Sequence, residues 1–166
     1  MAREFQLIGY LRLFAERGVE YLLVGGVGAR IQGAATTTQD IDIMPEPSPA
    51  NLERLAQALS DVTTEKKDAD ATEYRAHPDV DVVMHLPGVG GFDVVRRNAR
   101  RYEWEGHVIS VAELDDIITS KETTDRAKDR RALDALYEAR DHLRAHPDEY
   151  ELSDGALHPE REVGDN

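Results

Sequence analysis

Two acids separated by one isoleucine, in the run QDIDIM at residues 39–44, follow an apolar run that ends in a glycine pair, VEYLLVGG at 19–26. Polar residues alternating with β-branched ones predict a half-buried strand, because successive strand side chains point to opposite faces. Asp40 and Asp42 then emerge on one face, about 6.6 Å apart along the backbone, while Ile41 and Ile43 enter a core. Like charges held that close repel, and a cation or a proton relieves them. Divalent Mg²⁺ prefers carboxylate oxygens and commonly joins them to substrate phosphates. A third acid, Asp81 in the apolar run VDVVMHL, can complete such a cluster if its strand lies beside the first, where paired positions sit about 5 Å apart. The alternative is three solvent-facing acids at strand edges.

The flanking pattern predicts the elements that hold these strands. Leu7, Tyr10, Leu11 and Phe14 recur at helical spacing and stop at Gly18, which predicts a helix over 4–17 with a glycine cap. VGARIQG reads as a short helix closed by Gly33. Ser48 followed by Pro49 predicts the start of another helix, PANLERLAQALSDV. ATEYRAH and VDVVMHL read as strands, and FDVVRRNARR as a short segment leading to a YEWEGHVISV hairpin that turns near Glu105 and Gly106. Trp104 and Tyr102 alternate there and are expected to cover the core edge. Two helices close the chain: AELDDIITSK and a longer one in which Leu133, Leu136, Tyr137 and Leu143 share a stripe. His85 shares strand parity with Asp81, which would let it line the cleft, though a surface position is expected for it. The predicted class is α/β (α+β), a mixed β-sheet flanked by helices with the C-terminal helices packed on the core.

Length and composition bound the rest. At 166 residues the chain suits one domain, expected over 1–145. Residues 146–166 form an acidic tail expected to be disordered, since apolar content there is low. No apolar run approaches the ~20 residues of a membrane span, no signal-peptide core is visible, and there are no cysteines, so a cytoplasmic setting is expected. The net charge of −13 argues against broad adhesion to nucleic acid, whose affinity comes mostly from Lys and Arg. Residues 92–131 carry nine basic and nine acidic residues, so that stretch is neutral and a local basic surface remains open.

Several site types are excluded by spacing. A calcium loop starting at Asp40 needs Gly at position 45 and Glu at 51, where Pro and Asn stand. A dinucleotide fingerprint from Gly26 fails at Ile31, and no Lys-Ser/Thr follows the glycines as a Walker loop requires. A D-x-D phosphatase wants an apolar strand directly before the pair, whereas ATTTQ is polar. What remains is a glycine turn that lets a backbone approach an anion, with an acid pair to hold its metal. A nucleoside triphosphate fits both halves.

The sequence resembles the polymerase-β-type nucleotidyltransferase superfamily: Gly25-Gly26, thirteen residues, then Asp40-Ile41-Asp42-Ile43, with Asp81 on a later strand. VISVAELDDIITSKETTDRAKDRRALDAL looks like the bacterial AbiEii and MenT-like toxin branch, and the likeness spans about residues 5–140. The resemblance implies that Asp40, Asp42 and Asp81 bind Mg²⁺ or Mn²⁺ and that Lys121, at a helix end, contacts the triphosphate. It also implies nucleotide-site roles for Gly25, Gly26, Thr38, Arg126 and Asp129. Relatives often carry Arg where this chain has Thr36. The implied activity is transfer of NMP from an NTP to an acceptor hydroxyl, with Asp81 assisting deprotonation of the acceptor. The implied setting is a toxin–antitoxin system acting on tRNA 3′ ends, with a cognate antitoxin as partner. Modification of a protein in AMPylation-like fashion, or a non-catalytic nucleotide-binding or antitoxin-like role, are the other readings.

Overall fold

The structure, a computed structural model, describes residues 2–38, 40–59, 65–66, 73–77, 79–104, 107–146 and 158–159. Helix α1 (Ala2–Glu16) leads into strand β1 (Tyr21–Val24), which passes without a loop into α2 (Gly25–Ile31). Strand β2 (Ile41–Pro45) and α3 (Pro49–Ala58) follow, then β3 (Glu65–Lys66), β4 (Glu73–His77) and β5 (Val80–Val83). Next come α4 (Phe92–Asn98), the β6 (Arg100–Trp104) and β7 (His107–Val111) pair, α5 (Leu114–Thr124), α6 (Ala127–Ala145) and β8 (His158–Pro159). The expected turn at Glu105 and Gly106, the side chains of Trp104 and Leu7, and most of the acidic tail lie outside the described residues.

The strands form one mixed sheet in the order β3-β4-β5-β2-β1-β7-β6-β8. Strands β2 and β5 run parallel, as do β1 and β7, while β1–β2, β4–β5 and β6–β7 are antiparallel. The centre is buried on both faces, which is why YLLV is a continuous apolar run rather than an alternation. Leu23, Ile41, Ile43 and Val80 join Leu11, Phe14 and Leu55 of α1 and α3 in one core. Leu22, Val24 and Met44 join Phe92, Ile117, Ile118 and Leu136 of α4, α5 and α6 in the other. The expected sheet flanked by helices is the observed one, with α5 and α6 packed on its second face.

Local chemistry sets the element ends. After α1, Gly18 adopts φ 62°, and the Val19 N–H donates to the Phe14 carbonyl at 2.9 Å, a left-handed helix stop that favours glycine. Ser48 accepts from the Asn51 N–H, with Pro49 at the first helical position, as the sequence predicts for α3. The buried Asn51 side chain donates to the Glu20 and Glu46 carbonyls and accepts from the Glu20 N–H, so it ties α3 to the start of β1 and the end of β2.

Candidate nucleotide site

Strand register assembles the core of the site. Val24 stands opposite Asp42 across the antiparallel β1–β2 pair, and Asp42 stands beside Asp81 across the parallel β2–β5 pair. Register partners in a sheet share a face. Asp42 and Asp81 therefore both look toward the layer of α4, α5 and α6, while Ile41, Ile43 and Val80 fill the opposite core. Asp81 is only 2% exposed, whereas Asp42 is half-buried. Asp40 sits in a bend one residue before β2 begins, so strict alternation does not govern its direction as the sequence pattern suggests.

The glycine pair is a packing requirement set by this same strand. Gly25 has φ 64°, and a Cβ there would lie 2.8 Å from the Asp42 Cγ and closer still to its Oδ2. A Cβ on Gly26 would lie 2.8 Å from that of Thr38. The backbone of α2's first turn thus lies directly against Asp42 and Thr38, an approach that side-chain-bearing residues forbid. Thr38 donates its hydroxyl to the Asp40 carbonyl at 3.2 Å, and Thr36 donates to the Gly26 carbonyl at 3.0 Å. Thr36 thus clasps the connecting loop onto the glycine turn.

Helices α5 and α6 supply the opposite wall. Lys121, in the last turn of α5, pairs through Nζ with the Asp129 Oδ1 at 3.2 Å, and the Thr124 hydroxyl donates to the Asp129 Oδ2 at 2.8 Å. Between the two helices Asp125 takes a left-handed conformation, φ 45°, braced by Arg130. That tight turn brings the start of α6 back beside the end of α5. Burial opposes ionisation of Asp129, but the Thr124 hydrogen bond and the Lys121 charge outweigh it and hold its carboxyl below the usual carboxylate range.

A group whose folded pKa is depressed contributes stability that is present above its unfolded value, ~3.9 for Asp, and is lost as pH falls through the folded value. Acidification below about pH 4 should therefore cost the wild type stability that an Asp129→Asn variant lacks. At neutral pH that variant should be less stable by about 1–3 kcal/mol, because it loses a charge-assisted bond to Lys121. Thermal melts of both proteins across this range check the expectation.

These walls enclose a cavity of about 300 Å³ lined by Gly25, Asp42, His85, Lys121, Arg126 and Asp129, with Ser120, Thr124 and Lys128. Of the sequence-predicted residues, Gly25, Asp42, Lys121, Arg126 and Asp129 come together on it. Gly26 and Thr38, which pack on each other, do not line it, nor do Asp40 and Asp81, the latter lying beside Asp42 in the sheet. Sequence reasoning missed Lys128 and Thr124, whereas the cleft position it weighed for His85 is found together with the expected exposure. The signal for His85 was its strand parity with Asp81, although the strand itself ends at Val83.

The donor set suits a hard divalent ion. Two adjacent carboxylates in register offer oxygen ligands, and Mg²⁺ is commonly held by one or two carboxylates plus substrate phosphates. Among the described residues, no group of three His, Cys, Asp or Glu side chains is gathered to hold an ion. Also among the described residues, no helix is long and apolar enough to cross a membrane.

No family model and no curated protein matches the sequence. Solved structures do match. The chain superposes on the lincosamide antibiotic adenylyltransferase LnuA, solved with lincomycin, with TM-score 0.59 and 18% identity, covering 82% of this chain and 97% of that one. It superposes on the antibiotic-resistance factor ANT(2'')-Ia with TM-score 0.54 and 10% identity, covering 87% and 92% of the two chains. Similarity at this level is similarity of fold, and the fold of this chain is that of the nucleotidyltransferases.

Proposed function

We propose that this chain is a metal-dependent nucleotidyltransferase that moves NMP from an NTP to an acceptor hydroxyl, releasing pyrophosphate, and that it serves as a toxin acting on tRNA 3′ ends. The observation that carries the reading is the cavity, where Gly25 and Asp42 on one side face Lys121, Arg126 and Lys128 on the other. Three cations and a bare backbone turn suit an anionic triphosphate, and the half-buried Asp42 beside them suits its metal. Asp42 and Asp81, with Asp40 nearby in the chain, would hold Mg²⁺ or Mn²⁺. When bound, the ion supplies charge neutralisation at the α-phosphate and the leaving oxygens. Lys121 and Arg126 bind the phosphates and stabilise charge that grows on the leaving pyrophosphate. The Asp129–Thr124 clasp orients Lys121 in advance, so less ordering is left to the transition state.

A small-molecule hydroxyl is the second reading of the acceptor. LnuA, a fold neighbour, was solved with lincomycin, and the net charge of −13 gives RNA no general attraction. Incubation with α-³²P-labelled NTPs, Mg²⁺ and either total tRNA or lincomycin separates the readings. Label on tRNA supports the toxin reading, label on lincomycin supports the small-molecule reading, and label on protein supports AMPylation-like modification. Nucleotide binding without any transfer supports a non-catalytic, antitoxin-like role.

A further inference from the structure

Away from the nucleotide cavity, the end of α6 carries a histidine pair. His142 and His146 are four residues apart, a spacing that sets side chains one above the other on a helix face. Their rings stack with centroids 4.5 Å apart, and both residues are exposed. Together with Glu138, a turn further back, they line a second cavity of about 420 Å³ between α6 and the end of α2 at Ile31, Gln32 and Gly33.

The helix end prepares the pair as ligands. His146 caps α6, and its Nδ1 lies 3.1 Å from the His142 carbonyl oxygen. A carbonyl only accepts, so Nδ1 carries the proton and, in the neutral ring, Nε2 carries the lone pair. An Nδ1–H bond to a carbonyl is the usual support that orients a metal-bound imidazole. The last turn of a helix also bears partial negative charge, which favours a cation. The neighbouring arginines are engaged with acids: Arg144 pairs with Asp115 at 2.8 Å and Arg140 with Asp141 at 3.2 Å. Imidazole nitrogen suits zinc, whereas carboxylate oxygen suits magnesium. Two histidines at this spacing hold zinc in H-E-x-x-H helices, but Leu143 stands where that arrangement has its general base, so the pair is fitted to hold an ion rather than to hydrolyse.

We propose that His142 and His146 chelate one Zn²⁺ ion through one ring nitrogen each, at a site separate in place and chemistry from the divalent site at Asp42. Among the described residues no third His, Cys, Asp or Glu side chain joins them. The ion is therefore held by half the ligands of a structural zinc centre, with solvent in the remaining positions, and exchanges with solution. When bound, it joins the last two turns of α6 and braces them beside α2.

The test titrates ZnCl₂ by calorimetry into the full chain, stripped with EDTA, free of nucleotide and kept in excess Mg²⁺ to occupy oxygen sites. The wild type is expected to bind one equivalent that persists in Asp42→Asn. His142→Ala and His146→Ala should each weaken that binding about 10-fold or more. Because both side chains are exposed, melting temperatures without zinc should stay near that of the wild type. With zinc at about 100 times its dissociation constant, the wild type should melt roughly 5 °C higher, and both histidine variants should gain less at that concentration. Binding unchanged in both histidine variants, no equivalent persisting in Asp42→Asn, or no binding by the wild type up to about 1 mM overturns the site. Each of these results leaves the transferase reading standing, since no nucleotide is present.

Discussion

Replacing Gly25 with alanine is expected to abolish nucleotide transfer and to lower the melting temperature by roughly 5 °C, because it imposes two separate costs. A non-glycine residue at φ 64° costs about 1–2 kcal/mol of backbone strain. For a chain of this size each kcal/mol moves the melting temperature by about 2–4 °C. The larger effect is positional: the new Cβ would stand 2.8 Å from the Asp42 Cγ, so the carboxylate or the first turn of α2 must move. A displacement near 1 Å at a reacting centre costs on the order of 10²-fold in rate. Gly33→Ala provides the contrast. That glycine also has positive φ, 94°, but nothing lies within 4 Å of its Cβ position, so strain appears without loss of activity. Equal loss of activity in both variants would show that Gly25 acts through stability alone.

Asp42→Asn is expected to lower transfer by about 10³-fold, or ~4 kcal/mol of transition-state stabilisation, while the melting temperature stays near that of the wild type. The amide keeps the volume and the contact with Gly25 but removes the charge that a divalent ion and a triphosphate require. Asp42 is half-buried on a cavity lined also by Lys121, Arg126 and Lys128, so removing its charge makes the cavity more positive. Binding of NTP in the absence of metal should therefore be kept or strengthened, and the metal-dependent increment should disappear. A variant that transfers NMP at the wild-type rate would remove Asp42 from the site.

Much of this arrangement is legible in the chain itself. The continuous apolar run YLLV and the alternation in DIDI both mark strands, and Ser48-Pro49 and Gly18 mark helix ends by chemistry that acts within a few residues. The predicted adjacency of the Asp81 strand to the Asp42 strand is the observed β2–β5 pair. What escaped has a common cause, that it depends on contacts distant in sequence. Two glycines are poor helix formers, so their place inside the first turn of α2 is set by Asp42 and Thr38 packing on them rather than by propensity. FDVVRRN reads as a short segment and forms α4, because Phe92 and Val95 are buried beneath it by the second core. The pairing of Asp129 with Lys121 depends on the left-handed turn at Asp125, which no local pattern announces.

The most direct measurement is diffraction from crystals grown with a non-hydrolysable ATP analogue and Mn²⁺, recorded at an energy where manganese scatters anomalously. The expected result is an anomalous peak bonded to Asp42, with the triphosphate between the Gly25 turn and Lys121. Manganese and nucleotide bound elsewhere, with the cavity between β2 and α5 left to water, would contradict it.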